Sequence, residues 1–145
     1  MKKRTLLMAM LLLLLTACGF DAGQVMDGDG MLNHYTQISV DEAKRMMAED
    51  DGHLIVDVRT REEYEAGHIP GAICVPNESI ADEPPEALPD QQQILLIYCR
   101  SGRRSKEAAQ KLFDMGYVHV YEFGGILDWD GEVVTEDSDT SAAIS

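Results

Sequence analysis

Residues 94–98, Ile94-Leu95-Leu96-Ile97-Tyr98, form an unbroken apolar run that leads directly into Cys99. A strand that is apolar at every position, rather than at every second one, is buried on both faces. That restricts the chain to a sheet covered by helices above and below. The flanking segments alternate accordingly. Residues 35–39 are a short strand, followed by the capping pattern Ser39-Val40-Asp41-Glu42 and an apolar stripe of Ala43, Met46 and Met47. Leu54-Ile55-Val56-Asp57-Val58 is a strand, and Thr60-Arg61-Glu62-Glu63 opens a helix that stops at Gly67. Residues 72–75 are a strand ended by Pro76, and residues 80–93, with their prolines, a loop with at most a turn of helix. A helix over about 105–115 closes at Gly116, and residues 118–123 form another strand. Gly124-Gly125 then turns into a last short helix bearing Trp129. Such alternation predicts a parallel α/β sheet with helices on both faces.

The chemistry concentrates in Cys99-Arg100-Ser101-Gly102-Arg103-Arg104-Ser105, a loop between strand and helix. In open α/β sheets, sites form at the carboxyl ends of strands. A helix N-terminus there offers unpaired N–H groups and partial positive charge. A thiol beside those groups and cations ionises readily and becomes a nucleophile. Gly102 permits the curvature that turns successive N–H groups inward as an anion nest. Arg100, Arg103, Arg104 and Lys106 gather four cations near Cys99 on a chain whose net charge is −14, which marks an anion site. The plainer alternative is a solvated basic helix start beside a core-edge cysteine.

This loop resembles the active loop of the rhodanese family. The resemblance extends to Asp57-Val58-Arg59, Glu62-Glu63-Tyr64, Gly67-His68-Ile69-Pro70-Gly71-Ala72 and Gly124-Gly125 with Trp129, and covers roughly residues 35–134. It implies a rhodanese-like α/β fold, a five-stranded parallel sheet flanked by helices on both faces, with no metal and no organic cofactor. It also implies double-displacement sulfur transfer. Cys99 is then the nucleophile and persulfide carrier, and the backbone N–H groups of Arg100 to Ser105 stabilise the negative sulfur. Arg100, Arg103 and Arg104 are candidates to orient an anionic donor such as thiosulfate; a thiol or other thiophilic acceptor takes the sulfur. Two other readings use the same scaffold: a module that carries polysulfide or docks a partner without turnover, and a phosphatase or arsenate reductase. The cysteine phosphatases place an arginine six positions after the cysteine. Here that position is Ser105, and Arg104 comes one residue earlier.

The N-terminus has the grammar of an export signal: basic Lys2-Lys3-Arg4, an apolar run over 6–15, then Thr16-Ala17-Cys18. The run falls short of the ~20 apolar residues a membrane span requires. Leu15-Thr16-Ala17-Cys18 resembles the bacterial lipobox, which implies cleavage after residue 17 and lipid on Cys18. The expected organisation is a signal peptide over 1–17, a Gly- and Asp-rich tether over 18–33, a domain over 34–134 and an acidic tail over 135–145. The protein is then exported and held to the bacterial membrane by lipid. Its acidity argues against nucleic acid as a partner.

The remaining candidates have plain readings. Asp57 and Arg59, at a strand's carboxyl end, read as an ion pair or loop brace, with bordering the pocket as the alternative. His68 reads as a brace for the turn after its helix, and Trp129 as a packing anchor. His34, His53 and His119 lack ligand spacing, so no metal site is expected. Cys74 reads as a small buried hydrophobe, with a resolving thiol for Cys99 as the alternative.

Overall fold

The computed structural model describes residues 35–137. The signal segment 1–17, Cys18, the tether 18–33, His34 and tail residues 138–145 lie outside the described residues. The strands are β1 (Thr36–Gln37), β2 (Leu54–Asp57), β3 (Ala72–Cys74), β4 (Ile94–Cys99) and β5 (His119–Gly125). The helices are α1 (Val40–Met47), α2 (Arg61–Ala66) and α3 (Arg103–Asp114). All strand pairs are parallel and the order is β1-β5-β4-β2-β3. The expected α/β architecture, a five-stranded parallel sheet between helices, is the one observed. From β2 the chain moves outward to β3, then returns to the other side of β2 for β4 and β5. The order therefore reverses between β2 and β4, and the crevice at the carboxyl ends of these strands is where such sheets bind ligands.

Strand β4 accounts for the two cores. Its residues alternate in direction, so Leu95, Ile97 and Cys99 enter one cluster and Leu96 and Tyr98 the other. On the Cys99 face, α3 contributes Ala108, Ala109 and Leu112, joined by Ile80 and Leu88 from the long loop. On the opposite face lie Ala43 of α1 and Tyr64 of α2, with Met46, Met47 and Trp129 partly buried against them. Each large aliphatic side chain withdrawn from water here contributes about 1.5–3 kcal/mol.

Local chemistry fixes the ends of the elements. Thr60 caps α2 in both directions: its hydroxyl accepts the N–H of Glu63, whose carboxylate accepts the N–H of Thr60. Ser39 caps α1 through the N–H of Glu42. Beyond β3 the ladder bonds come from Val75 to Asp57 and Asn77 to Val58, skipping Pro76, which has no N–H to give.

Some boundaries differ from the sequence-based expectation. β1 contracts to two residues, and α3 begins at Arg103, because Gly102 (φ 98°) makes the turn just ahead of it. The turn of helix expected within 80–93 lies earlier, at Asn77–Ser79. The last helix is a single 3-10 turn, Ile126–Asp128, with Trp129 just beyond it. Gly124 and Gly125 belong to β5 itself. The register with β4 slips between Ile97 and Cys99, so that Cys99 pairs with Gly125.

Candidate active site

Cys99 ends β4 on the α3 face, with only 1% of its surface exposed. Its Sγ accepts the N–H of Gly102 at 3.1 Å. The N–H groups of Ser101 and Ser105 and the Ser105 hydroxyl also favour its ionised form. Burial pushes the thiol pKa up, but these hydrogen bonds outweigh it and leave the thiol below its ordinary value. The Gly102 N–H thus meets the sulfur at the positive end of the 12-residue helix α3, and the amides of Ser101 and Ser105 add to the lowering of its pKa.

The close fit of the loop has a visible cause. A Cβ on Gly125 would lie 2.1 Å from the carbonyl oxygen of Arg100 and 2.6 Å from the N of Ser101. The loop rests directly on the β5 backbone, and only glycine allows that approach. The slip in register brings Gly125 to this point, and Gly124 makes it at φ 94°. Leu127 N–H then donates to the Arg100 carbonyl at 3.2 Å, tying the segment after β5 to the same loop.

The three arginines separate into distinct environments. Arg104 is only 16% exposed and gives both terminal nitrogens to Glu63, at 2.7 and 2.9 Å. The Arg104 guanidinium holds the Glu63 carboxyl down to about 2. Arg103 is exposed and 3.6 Å from Glu107 along its own helix. Arg100 is exposed, and its guanidinium has no partner among the described residues.

Asp57 and Arg59 are almost wholly buried and form a forked pair, with Arg59 Nη2 2.6 Å from Asp57 Oδ2 and 2.7 Å from the Gly67 carbonyl. They tie the end of β2 to the end of α2 beside Tyr98, whose ring centroid is 5.8 Å from the guanidinium. Tyr98 and Cys99 project to opposite faces, so this pair braces the corner rather than lining the cysteine loop. His68 stacks on Tyr64 at 3.8 Å and exchanges backbone hydrogen bonds with Val134. Cys74 also faces away from Cys99 and packs against the Tyr98 cluster, but it is only partly buried rather than the buried hydrophobe expected, because β3 is an edge strand. It pairs with Asp57, which pairs with Tyr98. Two strand spacings, about 9.6 Å, therefore separate the positions, beyond the reach of a disulfide.

Sequence reasoning did not find Glu122. It is 2% exposed, on β5, and its Oε1 lies 2.6 Å from Ser105 Oγ while accepting the N–H of Gly124 at 2.8 Å. The available signal was an acid within a largely apolar strand, two residues before the double glycine.

Comparisons with known proteins bear on this arrangement. The rhodanese-like domain model matches residues 39–132. Thiosulfate sulfurtransferase PspE of Escherichia coli (strain K12) is 38% identical over 73 residues, 50% of this chain and 70% of that protein. Adenylyltransferase and sulfurtransferase UBA4 of Meyerozyma guilliermondii is 32% identical over 71% of this chain, but the match spans only 26% of UBA4. The tRNA uridine(34) hydroxylase of Yersinia pestis is 31% identical over 68% of this chain and 28% of its own length. Among solved structures, a rhodanese with anions from E. coli superposes with a TM-score of 0.52 at 35% identity, covering 57% of this chain and 98% of that one. A rhodanese-like domain protein from Staphylococcus aureus gives 0.59 at 33%, covering 69% and 97%.

Proposed function

Since this chain belongs to the rhodanese-like domain family, we propose that it is a sulfurtransferase, carrying sulfane sulfur on Cys99 from a donor such as thiosulfate to a thiophilic acceptor. The observation that carries this reading is the cradle of N–H donors around Cys99 Sγ, with Gly102 at 3.1 Å. In the first step the Cys99 thiolate attacks the outer sulfur of thiosulfate. A new S–S bond forms, the donor's own S–S bond breaks, and sulfite leaves with the electron pair. In the second step an acceptor such as cyanide or a thiolate attacks the outer sulfur and returns the electron pair to Cys99. Splitting the transfer in this way replaces one difficult step with two easier displacements at sulfur. The N–H groups of Ser101, Gly102 and Ser105 stabilise negative charge on sulfur before and after each step. Arg100, exposed and without a partner among the described residues, is the cation best placed to meet an incoming donor dianion.

Protein lacking residues 1–18 should gain one sulfur atom on a Cys99 peptide after incubation with thiosulfate, read by mass spectrometry. It should also produce thiocyanate when cyanide is added, and Cys99→Ser should do neither. Absence of the adduct together with hydrolysis of an aryl phosphate would replace this reading with the phosphatase one. Persulfide formation without release to any thiol or cyanide would favour a carrier module.

We further propose that the protein works outside the cytosol, anchored by lipid on Cys18. The support is the order of basic start, apolar run and Leu15-Thr16-Ala17-Cys18.

A further inference from the structure

Helices α2 and α3 pack on opposite faces of the sheet, yet one ion pair joins them over its carboxyl edge. Helix α2 follows β2 and α3 follows β4, and these neighbouring strands flank the point where the strand order reverses. The Glu63–Arg104 pair therefore crosses the same end of the sheet at which Cys99 lies.

Glu63 is the fixed half of this pair. It is the third residue of α2, and its Oε2 accepts the Thr60 N–H at 3.0 Å, closing the capping box. The same oxygen accepts Arg104 Nη1 at 2.7 Å, and Oε1 accepts Nη2 at 2.9 Å. Arg104 is the second residue of α3, in the loop that begins at Cys99, and an ionised Cys99 adds to the stability of its charge. Both terminal nitrogens, an edge with which arginine clasps an oxyanion, are thus turned to α2. The pair carries no net charge, and with the Glu63 carboxyl held down to about 2 the clasp stays shut throughout the neutral range. The Cys99 cradle keeps its amide donors, with Arg100 and Arg103 exposed in the same loop.

We propose that Glu63 is a specificity-determining residue: by keeping Arg104 clasped to α2 it denies the Cys99 cradle a guanidinium and so excludes tetrahedral oxyanions. A single sulfur atom is served by amides at short range, whereas a phosphate or sulfite bound whole gains most from a forked cation. This role takes its purpose from the sulfur-transfer reading of Cys99, although its measurement does not. The sulfonate end of the donor meets Arg100 in water while its outer sulfur enters, and the departing sulfite finds no guanidinium inside to hold it. The same clasp keeps ambient phosphate from blocking the thiol.

The test is protection of the Cys99 peptide from iodoacetamide by inorganic phosphate, in the full chain kept in mild detergent at constant ionic strength. Glu63→Gln keeps a carbonyl for the Thr60 N–H, as a capping box allows, and removes the charge that clasps Arg104. It should lower the half-protecting phosphate concentration about tenfold, the worth of one hydrogen bond to a charged group. Adding Arg104→Gln should return that concentration to within about twofold of wild type, since Arg104 gives nothing to the wild-type cradle. Adding Arg104→Lys instead keeps the charge without the fork and should leave a gain of less than about threefold. Unchanged protection in Glu63→Gln would overturn the proposal. So would the full gain in the Arg104→Lys double variant, which would mean a plain charge effect. A double Gln variant about tenfold weaker than wild type would overturn it as well, by showing that Arg104 already serves the anion. That variant leaves no charge of the pair unpartnered, and it decides the matter if Glu63→Gln alone does not fold. Thiosulfate loading of wild-type Cys99 is scored separately by mass spectrometry, so a failure of sulfur transfer and a failure of oxyanion exclusion are distinguished.

Discussion

Arg104 gives both of its terminal nitrogens to Glu63, and a guanidinium so engaged has little left for a passing anion. Arg100, four residues earlier, stands in water with no partner among the described residues. The sequence presents them as equivalent members of one basic loop, and nothing in their spacing separates them. Position across the fold does, because α2 brings Glu63 to one and not to the other. Replacement should separate them too. Arg100→Gln should raise KM for thiosulfate about fivefold, equivalent to about 1 kcal/mol, with the urea unfolding midpoint unchanged. Arg104→Gln should cost about 1–3 kcal/mol of stability by leaving Glu63 half buried without its partner. Steady-state kinetics and urea titration of the two variants check this, and the reverse pattern would exchange their roles. Cys99 was legible at this scale because its setting is local: strand, glycine turn and helix follow one another in sequence. Glu122 was not, since its one local signal, an acid in a largely apolar strand, says nothing of the Ser105 that α3 brings onto it.

Between elements the decisive contact is backbone against backbone, where the Arg100–Ser101 peptide lies on Gly125. A methyl group at 125 would meet the Arg100 carbonyl oxygen at 2.1 Å, and no side-chain rotation relieves that clash. Gly125→Ala should therefore displace the loop. We expect a loss of at least about tenfold in thiosulfate loading, as misplacement by an ångström at a reacting centre produces, while far-ultraviolet circular dichroism keeps its helical content. Full activity in this variant would show that the loop's placement on β5 is dispensable. The double glycine was readable as a landmark but was assigned to a turn. Its actual role depends on a register slip between β4 and β5, and the pairing of two strands is not encoded in either one alone. The capping box at Thr60 was fully legible for the opposite reason, since both of its hydrogen bonds close within four residues.

At the scale of the whole molecule, a sheet buried on both faces was written in the unbroken apolar run of β4, and the two cores on either side of it are the result. The chain carries a net charge of −14, while Arg100, Arg103, Arg104 and Lys106 cluster around the Cys99 loop, so an anion meets local attraction on a chain whose net charge repels it at longer range. The proposed lipid anchoring is tested at this scale as well. Cys18→Ala in the full chain should abolish incorporation of radiolabelled fatty acid and release the processed protein from the membrane fraction. A variant that stays membrane-bound at the same processed size would refute lipid attachment at Cys18. The placement of the two core cysteines on opposite faces of the sheet has a further effect on the protein's lifetime. Oxidation of Cys99 to a sulfenic acid leaves it, among the described residues, with no thiol on its own face of the sheet to close upon, and the next rung, sulfinic acid, is not recovered by ordinary reductants. Survival in air then becomes a race between peroxide and the next thiol to arrive from outside.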